Sequence, residues 1–317
     1  MPPMDTLQKE IQHLKKDRNA IVLAHYYVDG EIQDIADGLG DSLYLAQQGQ
    51  QSEADVIVLA GVVFMGESVK ILSPKKMVLV PDLSAGCSLV EMTPTEAYKK
   101  WRNECPQGVA VTYINSSTEV KALSDVICTS SNALQIIESI PKDRPILFGP
   151  DKNLGRFLMK KTGREMILWP GACEVHVLFS SQKLHELHLE HPDAKIIAHP
   201  ECEDAVLDQA DFIGSTSALL NEVKNNPSSS FIVATEEGIF HEMKKQRPEA
   251  HLIQAPAQGH CACNECPYMK KNSLEKIRDA LRDLSPQIHV EPQLMEKAHL
   301  PLKRMMAISS GHSVSYS

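Results

Sequence analysis

Apolar and polar positions along the chain follow one grammar three times over. Segments 4–30, 93–120 and 180–204 each open with about a dozen residues at helical spacing. A short polar break follows, and then a β-branched apolar run: AIVLAH, VAVTY and KIIAH. The length and Val/Ile content of these runs predict buried strands. At or just past each strand end stands a polar residue: His25, Asn115 or His199. Some sixteen residues further on come Asp41-Ser42, Thr129-Ser130 and Ser215-Thr216, each ahead of another helical stretch. A second strand and helix follow in 56–72, 145–161 and 231–246. A third strand, a proline and a cysteine-bearing turn close each unit in PDLSAGC, WPGAC and APAQGHCAC.

Units of roughly 85–90 residues are long enough to hold a small sheet each, so the repetition reads as duplicated domains and not as a solenoid. Strand–helix alternation predicts an α/β protein: three analogous three-layer α/β domains with short parallel sheets around a pseudo-threefold axis. The expected limits are 1–92, completed by the C-terminal segment 268–317, then 93–178 and 179–267. After Cys266 a helix over NSLEKIRDALRDL and a final strand over MMAIS are expected to pack back on the first unit, with SSGHSVSYS as a disordered tail. Ligands of such sheets sit beyond the carboxyl ends of the strands, the edge where the polar residues and the cysteine turns fall.

Composition narrows the function. The 317 residues are 43% apolar and 23% charged, and the net charge of -9 argues against nucleic acid as a partner. The first twenty residues carry charges where a signal peptide needs an apolar stretch, and the longest apolar run, 56–65, is about half a membrane span. The expected location is cytoplasmic, with no membrane partner. In a reducing compartment eight cysteines point to thiolate chemistry more than to disulfides.

Cys87 and Cys173 close the first two units, and Cys261, Cys263 and Cys266 offer three candidates for the third. Three converging thiolates suit zinc with an open fourth position, or a [4Fe-4S] cluster with one iron free of protein ligands. Cys105, Cys128 and Cys202 read as small buried hydrophobes. His25 and Tyr27, Tyr113 and Asn115, and His199 and Glu201 occupy matching places. The two tyrosines and the glutamate would relay protons if burial brought their pKa values toward neutrality. His176 stands three residues after Cys173 as a ligand or a supporting donor. Ser42, Ser130, Ser215 and Thr216 are helix caps, or hydroxyls that hold phosphate or carboxylate at helix starts.

The motifs AHYY, GDSLYLAQ, PDLSAGCSL, TYINSSTEVKALSDVICTSSNA, FGPDKNLG, GACEVH, AHPEC, GSTSAL and CPYMKKNSLEKI together resemble the quinolinate synthase family, from about residue 5 to residue 309. The resemblance implies condensation of iminoaspartate with dihydroxyacetone phosphate to quinolinate, phosphate and water in de novo NAD biosynthesis. It implies a [4Fe-4S] cluster on Cys87, Cys173 and Cys266, the last because the family's ligand directly precedes Pro-x-Met. Tyr27, Tyr113 and Glu201 fall where that family transfers protons. His25, Ser42, Asn115, Ser130, His176, His199, Ser215 and Thr216 fall where it binds substrate. Functional coupling to the enzyme that supplies iminoaspartate is a further expectation. The CxCxxC spacing here departs from the CxxCxxC of some members, so no redox role carries over to Cys261 and Cys263. The rival readings are an iron–sulfur hydro-lyase of another small acid and a zinc-stabilised binding protein.

Overall fold

The computed structural model describes residues 6–258 and 264–316. Three four-stranded sheets, every pairing within them parallel, carry the chain. The first consists of β1 (Ala20–His25), β2 (Gly38–Gly40), β3 (Val56–Ala60) and β4 (Met77–Leu79), in the order β2-β1-β3-β4. The second has β5 (Val109–Tyr113), β6 (Val126–Cys128), β7 (Ile146–Gly149) and β8 (Ile167–Leu168), in the order β6-β5-β7-β8. The third has β9 (Lys195–Ala198), β10 (Phe212–Ile213), β11 (Ser230–Ala234) and β12 (His251–Gln254), in the order β10-β9-β11-β12. Each sheet therefore has one strand more than the apolar runs predict. The extra edge strands β2, β6 and β10 are two or three residues long and follow a single short turn of helix.

Ladder register makes the repetition quantitative. The central pairs end at Ala24 with Ala60, Thr112 with Gly149, and Ala198 with Ala234. Val22, Val58, Val111, Phe148, Ile196 and Ile232 are fully buried, as strands covered on both faces must be. Helices Thr6–Asp17, Thr95–Asn103 and Ser181–Glu190 precede the three first strands, as their spacing predicts. Helices Ser42–Gln51 and Thr216–Asn225 start where Ser42 and Thr216 anticipate. The second unit's helix opens later, at Ala133–Ser139, with Asn132 Oδ1 accepting from the Thr129 amide at 2.6 Å.

The C-terminal segment departs from its expectation. MMAIS is not a strand but the last turns of a helix, Pro292–Ser309, in which Ala298, Leu302, Met305 and Ile308 form one buried face. Helix Leu274–Asp283 packs on helix Thr6–Asp17 and β3 of the first sheet. The longer helix lies across Val63–Leu72, Thr118–Ala122 and β6, and so joins the first sheet to the second. Nor is the tail free: Tyr316 is buried, its hydroxyl lies 2.8 Å from Ser139 Oγ, and Arg144 donates to its carbonyl. No helix among the described residues is long and apolar enough to cross a membrane.

Candidate active site

The carboxyl ends of the three sheets face one shared cavity. Thirteen of the fourteen residues singled out from the sequence line it: His25, Tyr27, Ser42, Cys87, Tyr113, Asn115, Ser130, Cys173, His176, His199, Glu201, Thr216 and Cys266. Ser215 does not. Its hydroxyl accepts from the Ala218 amide at 3.3 Å, the work of a helix cap.

The same local turn is built twice. The Tyr27 amide donates to His25 Nδ1, and the Glu201 amide to His199 Nδ1. An Nδ1 that accepts leaves the proton on Nε2, and His199 Nε2 accordingly points at Ser130 Oγ, 3.2 Å away. Burial holds His25 down to about 4 and His199 to about 3, so both imidazoles are neutral at neutral pH.

A hydrogen-bonded chain crosses the cavity floor. Thr216 Oγ1 lies 2.9 Å from Tyr27 Oη, which lies 2.8 Å from Thr235 Oγ1, itself 3.0 Å from His176 Nε2. His176 Nδ1 is 2.8 Å from Glu201 Oε2 and 3.3 Å from Cys173 Sγ, and the Tyr113 hydroxyl also bonds Glu201. Burial moves these groups apart, not toward neutrality. Tyr27 and Tyr113 are pushed well above the usual phenol range by desolvation. Desolvation would raise Glu201 as well, but the imidazoles and the Tyr113 hydroxyl outweigh it and bring it below the usual carboxylate range. The tyrosines are thus hydroxyl donors and Glu201 an ionised acceptor. Glu201 Oε1 and Asn115 Oδ1 are buried with no protein partner, an arrangement that calls for a ligand.

The three cysteines are equivalent by backbone geometry. Three residues past the central strand pair, the amides of Val63, Lys152 and Glu237 donate to the carbonyls of Ala85, Gly171 and Asn264 at 2.8, 2.8 and 3.4 Å. Those carbonyls stand two residues before Cys87, Cys173 and Cys266, so one recurring bond sets all three turns. Cys261 and Cys263 lie outside the described residues. A set of ligand atoms spaced for a single ion lies beside the three turns. The group of that kind among the described residues is Cys173, His176 and Glu201, whose ligand atoms all lie within 4.8 Å of one another. Desolvation pushes the Cys87 thiol up to about 12 and the Cys266 thiol to about 11, so these sulfurs are protonated until a metal displaces the proton.

Sequence reasoning missed Asp41 as a residue of this site. Its carboxylate lies where the starts of three helices meet: Ser131 and Ser217 donate to Oδ2 at 2.5 and 2.7 Å, and the Tyr44 amide to Oδ1 at 3.0 Å. Asp41→Ala removes a cap and takes away the acceptor of two hydroxyls, Ser131 exposed and Ser217 half-buried. A loss of about 1–2 kcal/mol in urea unfolding is expected, and an unchanged midpoint would contradict it.

Comparison with known proteins agrees with the geometry. The family model described as "Quinolinate synthetase A protein" matches residues 9–307. The chain is 53% identical over 305 residues to a quinolinate synthase of Microcystis aeruginosa, covering 96% of each chain. It is 52% identical over 307 residues to one of Nostoc punctiforme, covering 97% of this chain and 94% of the relative. A third, from Synechocystis sp., is 52% identical over 312 residues, covering 97% and 98%. At that identity, over nearly the full length of both partners, the chain belongs to the quinolinate synthase family of enzymes.

Proposed function

We propose that the chain condenses iminoaspartate with dihydroxyacetone phosphate to quinolinate, releasing phosphate and water, as a cytoplasmic step of de novo NAD biosynthesis. The observation that carries this reading is the meeting of three equivalent cysteine turns, two unpartnered buried acceptors and the Tyr27–His176–Glu201 chain in one cavity. In the same reading the three sheets are the cores of domains 1–92 with 268–317, 93–178 and 179–267, set about a pseudo-threefold axis. Functional coupling to the enzyme that supplies the unstable imine follows from that substrate's chemistry.

Cys87, Cys173 and Cys266 are the residues that would hold a [4Fe-4S] cluster. The fit is supported by the equivalence of their turns, their partial burial and their place in the wall of one cavity. When bound, such a cluster supplies a Lewis-acidic iron without a protein ligand, which eases loss of a hydroxyl as water.

The chain's own residues do the rest. Ser42, Ser130 and Thr216, with the Nε2 protons of His25 and His199, offer neutral donors to carboxylate and phosphate oxygens; Ser215 supports them by capping the last helix. Asn115 turns its free carbonyl to a substrate N–H or O–H. Glu201, ionised and with one oxygen free, is placed to take a proton, and the Tyr27 and Tyr113 hydroxyls are placed to donate, once bound substrate draws their pKa values back toward neutrality. His176 holds Glu201 in place through Nδ1, and through Nε2 links it to Tyr27 by way of Thr235.

A second reading has one observation in its favour: Cys173, His176 and Glu201 are spaced to bind a single zinc ion. Metal analysis of anaerobically purified protein, with an assay of quinolinate from the two named precursors, separates them. About four irons and four sulfides per chain with turnover is the expected result. One zinc and no quinolinate would replace the cluster reading with the zinc one.

A further inference from the structure

Ladder register also relates three residues whose chemistry differs. Two positions past the central strand pair stand Val62 in the first sheet, Asp151 in the second and Glu236 in the third. Asp151 and Glu236 are both fully buried, an expensive place for a carboxylate unless every oxygen is matched. Each is matched in the same way. Asp151 Oδ2 accepts from the Cys173 amide at 3.0 Å and Oδ1 from the Leu154 amide at 2.8 Å. Glu236 Oε1 accepts from the Cys266 amide at 3.1 Å and Oε2 from the Gly238 amide at 2.7 Å. Each carboxylate therefore bridges a candidate ligand cysteine to the segment that leaves the neighbouring central strand. Lys270 Nζ, 3.7 Å from Glu236 Oε1, adds a cation to the second bridge. The first sheet has no counterpart, because the valine side chain has no acceptor.

We propose that Asp151 and Glu236 are positioning residues that fix Cys173 and Cys266 as cluster ligands, while the Cys87 turn has no carboxylate at the matching position, Val62. This rests on the reading that the three cysteines hold a [4Fe-4S] cluster. The argument is one of geometry and desolvation. A carboxylate that accepts a cysteine's amide sets the direction of its Cα–Cβ bond, and so where the sulfur stands before a cluster arrives. Two buried carboxyl groups at the same repeat position, each accepting from the amide of a candidate ligand cysteine, call for a structural reason. Holding the empty turns in shape explains them. The second bonds, to Leu154 and Gly238, tie each turn to rigid secondary structure.

The test uses the full chain, loaded anaerobically. Wild type, Asp151→Ala, Glu236→Ala and the near-isosteric Asp151→Asn and Glu236→Gln are compared for iron and sulfide per chain, for the rate of bleaching by a ferrous chelator, and for the electron paramagnetic resonance spectrum of the reduced cluster. Melting of each metal-free protein reports the fold. The alanine variants are expected to lose the cluster about 10- to 100-fold faster than wild type, with an altered spectrum. The amide variants, which keep one acceptor, should fall between. Should an alanine variant fail to fold, the amide variants decide. Bleaching rates and spectra equal to wild type overturn the proposal, and so does faster bleaching that only tracks a lowered metal-free melting temperature. If wild type itself takes up no cluster, it is the cluster reading that fails. If wild type holds one and the variants hold it equally well, only the positioning role fails.

Discussion

Cys87→Ala protein purified without oxygen is expected to be colourless and to make no measurable quinolinate. Two thiolates cannot replace three around a [4Fe-4S] cluster that already leaves one iron without a protein ligand, so the loss is of the whole cluster and not of one iron. The fold should survive. Cys87 sits in the turn after β4, ahead of the short helix Ser88–Glu91, and not in the strand core. Metal-free variant and metal-free wild type should therefore melt within a few degrees of each other, near the shift that about 1 kcal/mol produces in a chain of this size. Brown, active Cys87→Ala protein with unchanged iron would end the assignment.

Glu201→Gln is expected to separate chemistry from cofactor. The substitution keeps the size of the side chain and removes its charge, while the three cysteines remain. The Glu201 carboxylate accepts from His176 at 2.8 Å and from the Tyr113 hydroxyl, and an amide can satisfy such donors only through its single oxygen. The lost proton acceptor should lower kcat by about 10²–10⁴ with the iron content intact. Wild-type kcat in a loaded Gln variant would remove Glu201 from proton transfer. Colourless Gln protein would point instead to Glu201 as a metal ligand beside Cys173 and His176.

What the sequence made legible was whatever is periodic or chemically rare. The helix–strand grammar located three of the four strands of each sheet, the two central ones most clearly, because buried parallel strands must be apolar throughout. It was silent on β2, β6 and β10, since two or three residues such as Gly38–Gly40 carry no period, and they pair only because a neighbouring strand is already in place. The terminal helix was hidden by Pro301, which interrupts the helical pattern, so MMAIS read as a β-like apolar run. Tyr316 showed no sign of docking, because its partners Ser139 and Arg144 are far away in sequence.

In the site, Cys, His and Tyr just past strand ends stood out, and all but one of the chosen positions line the cavity. Asp41, Asp151 and Glu236 did not, since an acidic residue at a loop start looks like any helix cap until ladder register and burial are known. The direction of the tyrosine and glutamate shifts was equally invisible. It depends on which groups share the buried space: Glu201 meets imidazoles that favour its charge, where desolvation and neighbouring carboxylates disfavour a charged tyrosine.

The helix Pro292–Ser309, which rests on Val63–Leu72, Thr118–Ala122 and β6, has a consequence for biogenesis. It closes over parts of the chain made far earlier, contacts of very long sequence separation that form slowly. On the ribosome the first two sheets emerge without the element that joins them, and the Cys87 and Cys173 turns are in place before Cys266 has been synthesised. A cluster held by all three turns would therefore be completed only after the first two sheets have emerged, and truncation before residue 292 should loosen the join between those sheets and lower the melting temperature of the metal-free protein.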